Sequence, residues 1–241
     1  MTLNRPKQFN ALSEAMLDAL QTVLDHIKDD DSVRVVVLAA AGKAYCAGHD
    51  LKELQANPSK NFYAELFARC SRMMLTINSL PQPVIARVHG IATAAGCQLV
   101  AQCDMAVAAD TAEFATSGIR YGLFCSTPAV PVSRSVGRKQ AFEMLMTGDF
   151  ISAATAVREG LINSAVPIDK LDAEIARLCH AIVRRPQVAV ATGKGMFYKQ
   201  LEMGIEAAYG FAGEQMACNL IHEDAQEGVL AFTEKRPPNW A

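Results

Sequence analysis

The sequence predicts a mixed α/β protein, with an α/β core over residues 1–185 and a helical C-terminal region over residues 186–241. Three observations carry that reading. Val-rich apolar runs alternate with apolar residues at helical spacing through the first half of the chain. Beyond Arg138 the strand-like runs nearly vanish. With 51% apolar and 20% charged residues over 241 positions, the chain can bury one large core, unlike a disordered composition.

Leu12, Met16, Leu20, Val23, Leu24 and Ile27 recur at helical spacing, with Ser13 available as the cap and Asp29-Asp30-Asp31 near the end. Val33–Ala40, broken only by Arg34, is predicted as a strand buried on both faces. Pro83–Val88 and Met105–Ala108 read as further strands, with Tyr63–Asn78 and Ala94–Gln102 as helices between them. Strand–helix alternation of this kind makes a parallel layout. Farther on, Arg138–Thr147, Ala153–Glu159, Leu171–Arg184, Val188–Lys199, Glu202–Asn219 and Asp224–Phe232 read as helices, and Asn163–Asp169 carries one last short strand. The apolar positions Ile205, Tyr209, Met216, Leu220, Val229 and Phe232 have little core of their own, so this region is expected to pack on the core or on a neighbouring subunit.

A net charge of −2 supplies no uniform positive field, so neither nucleic acid nor an anionic bilayer is expected as a partner. The seven cysteines (46, 70, 97, 103, 125, 179 and 218) are odd in number and contain no CxxC, which suits reduced thiols. Cys97 and Cys103 have no nearby His or Cys to complete four zinc ligands. The N-terminus lacks the layout of a signal or transit peptide, and apolar stretches such as Val35–Ala41 are too short to span a bilayer. The expectation is a soluble cytoplasmic protein.

Two segments are candidates for chemistry. Ala44-Tyr45-Cys46-Ala47-Gly48-His49-Asp50-Leu51 reads either as a plain strand-to-helix turn or as a loop whose exposed N–H groups face a ligand. His89-Gly90-Ile91-Ala92-Thr93-Ala94-Ala95-Gly96-Cys97-Gln98 places small residues between a strand and a helix start, where unpaired N–H groups converge. That arrangement suits a developing oxyanion, while close helix packing selects the same small residues.

Taken in order, these segments resemble the crotonase (enoyl-CoA hydratase/isomerase) superfamily. The opening Leu3-Asn4-Arg5-Pro6…Asn10-Ala11-Leu12 belongs to the match. So do Pro83-Val84-Ile85-Ala86, Cys103-Asp104, Phe114-Ala115, Gly122-Leu123, Thr147-Gly148 and Glu227-Gly228…Ala231-Phe232-Thr233-Glu234-Lys235-Arg236. The resemblance covers essentially the whole chain and implies a crotonase-like spiral of ββα turns with a C-terminal helical trimerisation region. It also implies a homotrimer or dimer of trimers, and an acyl-CoA thioester as ligand. Coenzyme A then enters as part of the substrate, with no separate cofactor.

By motif position, the two backbone donors of an oxyanion hole fall on His49 and Ala95, the latter replacing the usual Gly. Ala47, Gly48, Asp50, Leu51, Ala94 and Gly118 match substrate- and CoA-binding positions, with Lys43 and Lys52 near enough in sequence to offer charge to phosphates. Phe232 and Lys235 match tail positions that in the family reach a neighbouring subunit's CoA, and Met216 stands where an aromatic contact is expected.

Hydratases of the family use two glutamates, and the matching positions here carry Gln98 and Gly118. An amide exchanges no proton near neutrality, and glycine has no side chain. Acid–base assistance is worth about 10²–10⁴-fold per group, so ordinary hydration, and isomerisation through the second position, are expected to be impaired. Ser126 falls eight residues beyond Gly118, where other members carry a catalytic side chain. His49 is the remaining ionisable candidate, and a His at this loop position occurs in family decarboxylases; no tyrosine is read near Ser126 to match the one they use. Glu113 reads as a loop carboxylate and His89 as a packing residue. The expectation is decarboxylation, thioester hydrolysis or other enolate chemistry on a CoA ester, with a non-catalytic acyl-CoA-binding or regulatory oligomer as the alternative.

Overall fold

The computed structural model describes residues 1–240. Among them the strands are β1 (Thr2–Leu3), β2 (Val36–Ala40), β3 (Ala44–Cys46), β4 (Val84–Val88), β5 (Ile91–Thr93), β6 (Met105–Ala109), β7 (Glu113–Ala115), β8 (Ile151–Ser152) and β9 (Ser164–Val166). The first helices are α1 (Glu14–Lys28), α2 (Leu51–Ala56), α3 (Lys60–Ser79), α4 (Ala95–Gln102), α5 (Ser126–Ser135) and α6 (Arg138–Thr147). They are followed by α7 (Ala153–Glu159), α8 (Leu171–Val183), α9 (Gln187–Leu201), α10 (Ile205–Ile221) and α11 (Glu223–Thr233). None is long and apolar enough to cross a membrane.

Two sheets share the strands, in the orders β1-β2-β4-β6-β9 and β3-β5-β7-β8. Chain order explains the split. Each turn lays one strand in the first sheet and the next in the second, then runs through helix: β2-β3-α2-α3, β4-β5-α4, β6-β7-α5. Register follows that stacking, with Val36 against Val84, Ile85 against Met105, Ala92 against Phe114, all parallel. This is the ββα spiral implied by the resemblance. Only β8 joins antiparallel, on β7.

Both faces of the five-stranded sheet are covered. Val36, Leu38, Val84, Ala86 and Val88 enter the main core with Leu17, Leu20, Leu24, Met73 and Ile77 from α1 and α3. Val35, Val37, Ile85 and Val107 pack on the other side against Leu171 and Ile175 of α8.

Element boundaries were largely legible. The Ser13 hydroxyl caps α1 by accepting from the Met16 N–H, worth about 1 kcal/mol at such positions. The first long strand starts at Val36 rather than Val33. The short strands of the second sheet follow from the resemblance and not from the spacing, because three-residue strands leave no periodicity to detect. The helix α5, which contains Pro131, was not anticipated.

The last three helices lie on the surface, and one buried cation ties them down. Lys194 of α9 donates from Nζ to the Ile77 and Gln82 carbonyls at 2.8 and 2.9 Å and to Asp104 Oδ2 at 2.7 Å. Asp104 also accepts from Tyr198 Oη at 2.8 Å and the Val84 N–H at 2.6 Å. Every donor and acceptor in the pair is thus engaged, the condition under which a buried ion pair is tolerated. Beyond it, Ile205, Tyr209, Met216, Ile221 and Phe232 are each at least 74% exposed. These residues do not pack on the core.

Candidate active site

The two candidate turns end neighbouring strands of the second sheet and lie against each other. After β3 the chain turns at Gly48, whose φ of +96° suits glycine; a Cβ there would stand 2.9 Å from Ala94 Cβ and 3.2 Å from the Ala95 nitrogen. After β5 it turns at Ala94, with φ +50° and ψ −120°, and α4 starts at Ala95. Position 95, where the resemblance leads to the expectation of glycine, therefore has no positive φ; the strained alanine is Ala94. A non-Gly residue so placed costs on the order of 1–3 kcal/mol.

Leu12 fixes the first turn from the other side. Its N–H donates to the Gly48 carbonyl at 2.8 Å and its carbonyl accepts from the Asp50 N–H at 3.4 Å, a parallel bridge opposite His49. Such a bridge turns the N–H of the central residue away from Leu12. Neither the His49 nor the Ala95 amide donates a hydrogen bond within the described chain. Two unpaired donors at adjacent turns, one at a helix start, are the groups that an oxyanion hole uses.

A cavity of about 260 Å³ opens beside them. Ala47, His49, Leu51, Ala94, Ala95, Gly118 and Ser126 line it together with Leu54, Phe67, Ser117, Tyr121, Leu123, Phe124, Cys125, Thr127 and Pro128. No Asp or Glu is among these residues. The His49 ring meets Phe67 edge-on at 5.4 Å, and both its nitrogens are buried without a hydrogen-bond partner. Burial pushes its pKa below the ordinary value, opposed in part by the backbone of Leu12, and so favours the neutral ring.

Gly118 does more than lack a side chain. A Cβ there would stand 2.6 Å from the Leu123 carbonyl oxygen and 2.7 Å from Cys125 Sγ. The Gly118 N–H donates to that sulfur at 3.3 Å, and burial pushes the thiol above its ordinary pKa. The space next to residue 118 is filled.

Several expected site residues fall elsewhere. Gln98 is buried one turn into α4 with Oε1 unpartnered, but it does not line the cavity. The Asp50 carboxylate is engaged within the chain: Oδ1 accepts from the Lys52 N–H at 3.1 Å, capping α2, and Oδ2 accepts from Arg5 Nη2 at 3.1 Å. Gly48 is buried behind the first turn. Phe232 and Lys235, at the end of α11, are exposed and not brought to the cavity. Ser126 lies on its rim, its hydroxyl 3.4 Å from the Phe124 carbonyl. Tyr121 corrects the sequence reading, because it lines the same cavity as Ser126. Phe67 was also missed; it sits mid-helix in α3, where an aromatic at helical spacing carries no mark of a site.

The family model for enoyl-CoA hydratase/isomerase matches residues 1–241. A solved structure of an enoyl-CoA hydratase from Mycobacterium smegmatis is 61% identical, covers 99% of this chain and 93% of its own, and superposes with a TM-score of 0.98. The structure of human enoyl Coenzyme A hydratase domain-containing protein 3 is 46% identical, covers 99% and 94%, and gives 0.96. The mouse protein named enoyl-CoA hydratase domain-containing protein 3, mitochondrial, is 46% identical over all of this chain and 80% of its own length. Rat and human relatives carry the same name. That name overturns the expectation of a cytoplasmic protein, which rested on the N-terminus, the short apolar stretches and the scattered cysteines. The chain belongs to the enoyl-CoA hydratase/isomerase family of the crotonase superfamily.

Proposed function

We propose that the protein binds an acyl-CoA thioester and stabilises its enolate in the oxyanion hole without a two-glutamate proton relay, and that its reaction is decarboxylation of a carboxyl-bearing acyl-CoA. The carrying observation is the cavity itself: two unpaired amides and one buried, unpartnered imidazole, with no carboxylate among the lining residues. Hydration requires groups that pass protons to and from water. Loss of CO2 generates the enolate by breaking a C–C bond and requires no base.

The steps follow from the side chains present. The His49 and Ala95 amides polarise the thioester carbonyl; one such donor is typically worth about 3 kcal/mol. The substrate carboxylate takes the His49 ring as its hydrogen-bond partner, against a wall of Leu54, Phe67 and Phe124 that limits its solvation. An anion beside the ring raises the imidazole pKa, so His49 takes up a proton from solvent. As CO2 leaves, its electron pair passes into the enolate held by the two amides. The imidazolium then protonates the α-carbon. Tyr121 and Ser126, which line the same cavity, are the hydroxyls we assign to orient the carboxylate. By motif position Gln98 and Gly118 replace the family's two glutamates, and on this reading hydration is not expected. No cofactor is required beyond the coenzyme A of the substrate, and a homotrimer would cover the exposed face of α10 and α11.

A mass-spectrometric product screen over enoyl-, malonyl-type and saturated acyl-CoAs, each beside a thermal-shift titration, tests this reading. CO2 released from a malonyl-type ester supports it. Hydrated crotonyl-CoA at an enzyme-like rate refutes it. Free CoA would establish hydrolysis instead, and stabilisation without turnover would establish a binding protein.

A further inference from the structure

The N-terminal segment over residues 5–12 lines no part of the cavity, yet its polar groups converge on the first oxyanion turn. Asn10 is fully buried. It accepts the Arg5 N–H on Oδ1 at 2.9 Å and donates from Nδ2 to the Ala41 and Ala44 carbonyls at 2.7 and 2.8 Å, holding the start of β3. The Ala47 N–H donates to the Phe9 carbonyl at 3.0 Å. Arg5 Nη1 donates to the Ala11 carbonyl at 3.0 Å while Nη2 reaches Asp50 Oδ2 at 3.1 Å. The segment therefore grips the turn immediately before and after His49, and Leu12 bridges it in the middle.

We propose that Arg5, through its ion pair with Asp50, is a positioning residue for the His49 amide of the oxyanion hole. Asp50 has no freedom to serve as a ligand group: one carboxylate oxygen caps α2 and the other holds Arg5. The His49 N–H belongs to the 48–49 peptide, whose Gly48 carbonyl accepts from the Leu12 N–H at 2.8 Å. Arg5 holds the 11–12 peptide that carries this donor, through the Ala11 carbonyl, and at the same time Asp50 beyond the turn. The His49 N–H itself makes no hydrogen bond within the described chain, so its direction is that of the peptide it belongs to. The strap supplies that direction from outside the cavity. Misplacing a catalytic group by about 1 Å can cost about 10²-fold in rate, so a contact remote from the ligand has leverage here.

This inference rests on the oxyanion-hole reading, and the test separates the two. Butyryl-CoA labelled with ¹³C at the thioester carbonyl is bound at saturation to the wild type, Arg5→Ala, Arg5→Lys and Asp50→Asn, and the carbonyl chemical shift is recorded. Asp50→Asn keeps an oxygen for the Lys52 N–H and so preserves the helix cap. The wild type is expected to move the resonance downfield. Arg5→Ala and Asp50→Asn should lose most of that displacement, Arg5→Lys should restore part of it, and kcat should fall about 10²-fold in Arg5→Ala with KM little changed. A displaced wild-type resonance that persists in full in folded Asp50→Asn and Arg5→Ala overturns the positioning role alone. A wild-type resonance unmoved at saturation overturns the oxyanion hole and the positioning role together.

Discussion

Gly118→Ala adds a single methyl group where the structure has no room for one. The added Cβ would stand 2.6 Å from the Leu123 carbonyl oxygen and 2.7 Å from Cys125 Sγ, both inside van der Waals contact. One obstruction is backbone and cannot swing aside; the sulfur belongs to a buried side chain. Overpacking of this kind costs about 1–3 kcal/mol, and the backbone contact puts this case in the upper part of the range. The stiffer unfolded chain of the alanine variant returns about 0.4–1 kcal/mol, leaving a net loss of about 1–2 kcal/mol. In a domain of this size that lowers Tm by about 2–8 °C. Thermal and urea melts of Gly118→Ala, Cys125→Ala and the double variant measure it. Cys125→Ala removes one obstruction, so the double variant should be more stable than the sum of the single effects. The same crowding forbids restoring the family's second carboxylate: Gly118→Glu with Gln98→Glu should leave crotonyl-CoA hydration near background. A Gly118→Ala protein that melts at or above the wild type, or a double glutamate variant that hydrates crotonyl-CoA, refutes the packing argument.

Three further outcomes follow from particular residues. His49 has a folded-state pKa below its unfolded value, so its contribution is fully present above about pH 6.5 and is lost as pH falls from there toward the folded pKa, at up to about 1.4 kcal/mol per pH unit; denaturation midpoints between pH 7.5 and about 5.5 should show a slope that His49→Gln flattens. Ala94→Gly removes a strained backbone conformation at φ +50° and should raise stability by about 1 kcal/mol in a urea melt, after the entropy cost of glycine. Lys194→Met leaves Asp104 with a buried, uncompensated charge and should destabilise by about 3–5 kcal/mol; retention of wild-type stability would show that α9 is held by its apolar contacts alone.

The long elements were readable because their apolar residues repeat at a detectable period: α6 and α7 begin and end at the residues the spacing indicates. The three-residue strands β3, β5 and β7 are too short to show a period, and they build the site. The two small-residue turns were legible by motif order, whereas their contact is a tertiary fact: a Cβ added at Gly48 would stand 2.9 Å from Ala94 Cβ and 3.2 Å from the Ala95 nitrogen. Counting along the chain placed Ser126 on the cavity but could not show that Tyr121 shares it, because the 3-10 turn Ser117–Tyr121 folds the two together. Asp50 read as a ligand residue for want of its partner: Arg5 lies 45 positions away in the chain, and no local pattern announces such a pair.

A steady-state comparison of CO2 release from a malonyl-type CoA ester with hydration of crotonyl-CoA, in the wild type and in His49→Gln, is the most direct test of an oxyanion hole working without a proton-relaying glutamate pair. Saturable CO2 release by the wild type is expected, falling about 10²–10⁴-fold in His49→Gln, with hydration near background in both. Hydration at an enzyme-like rate, or CO2 release indifferent to His49→Gln, would contradict it.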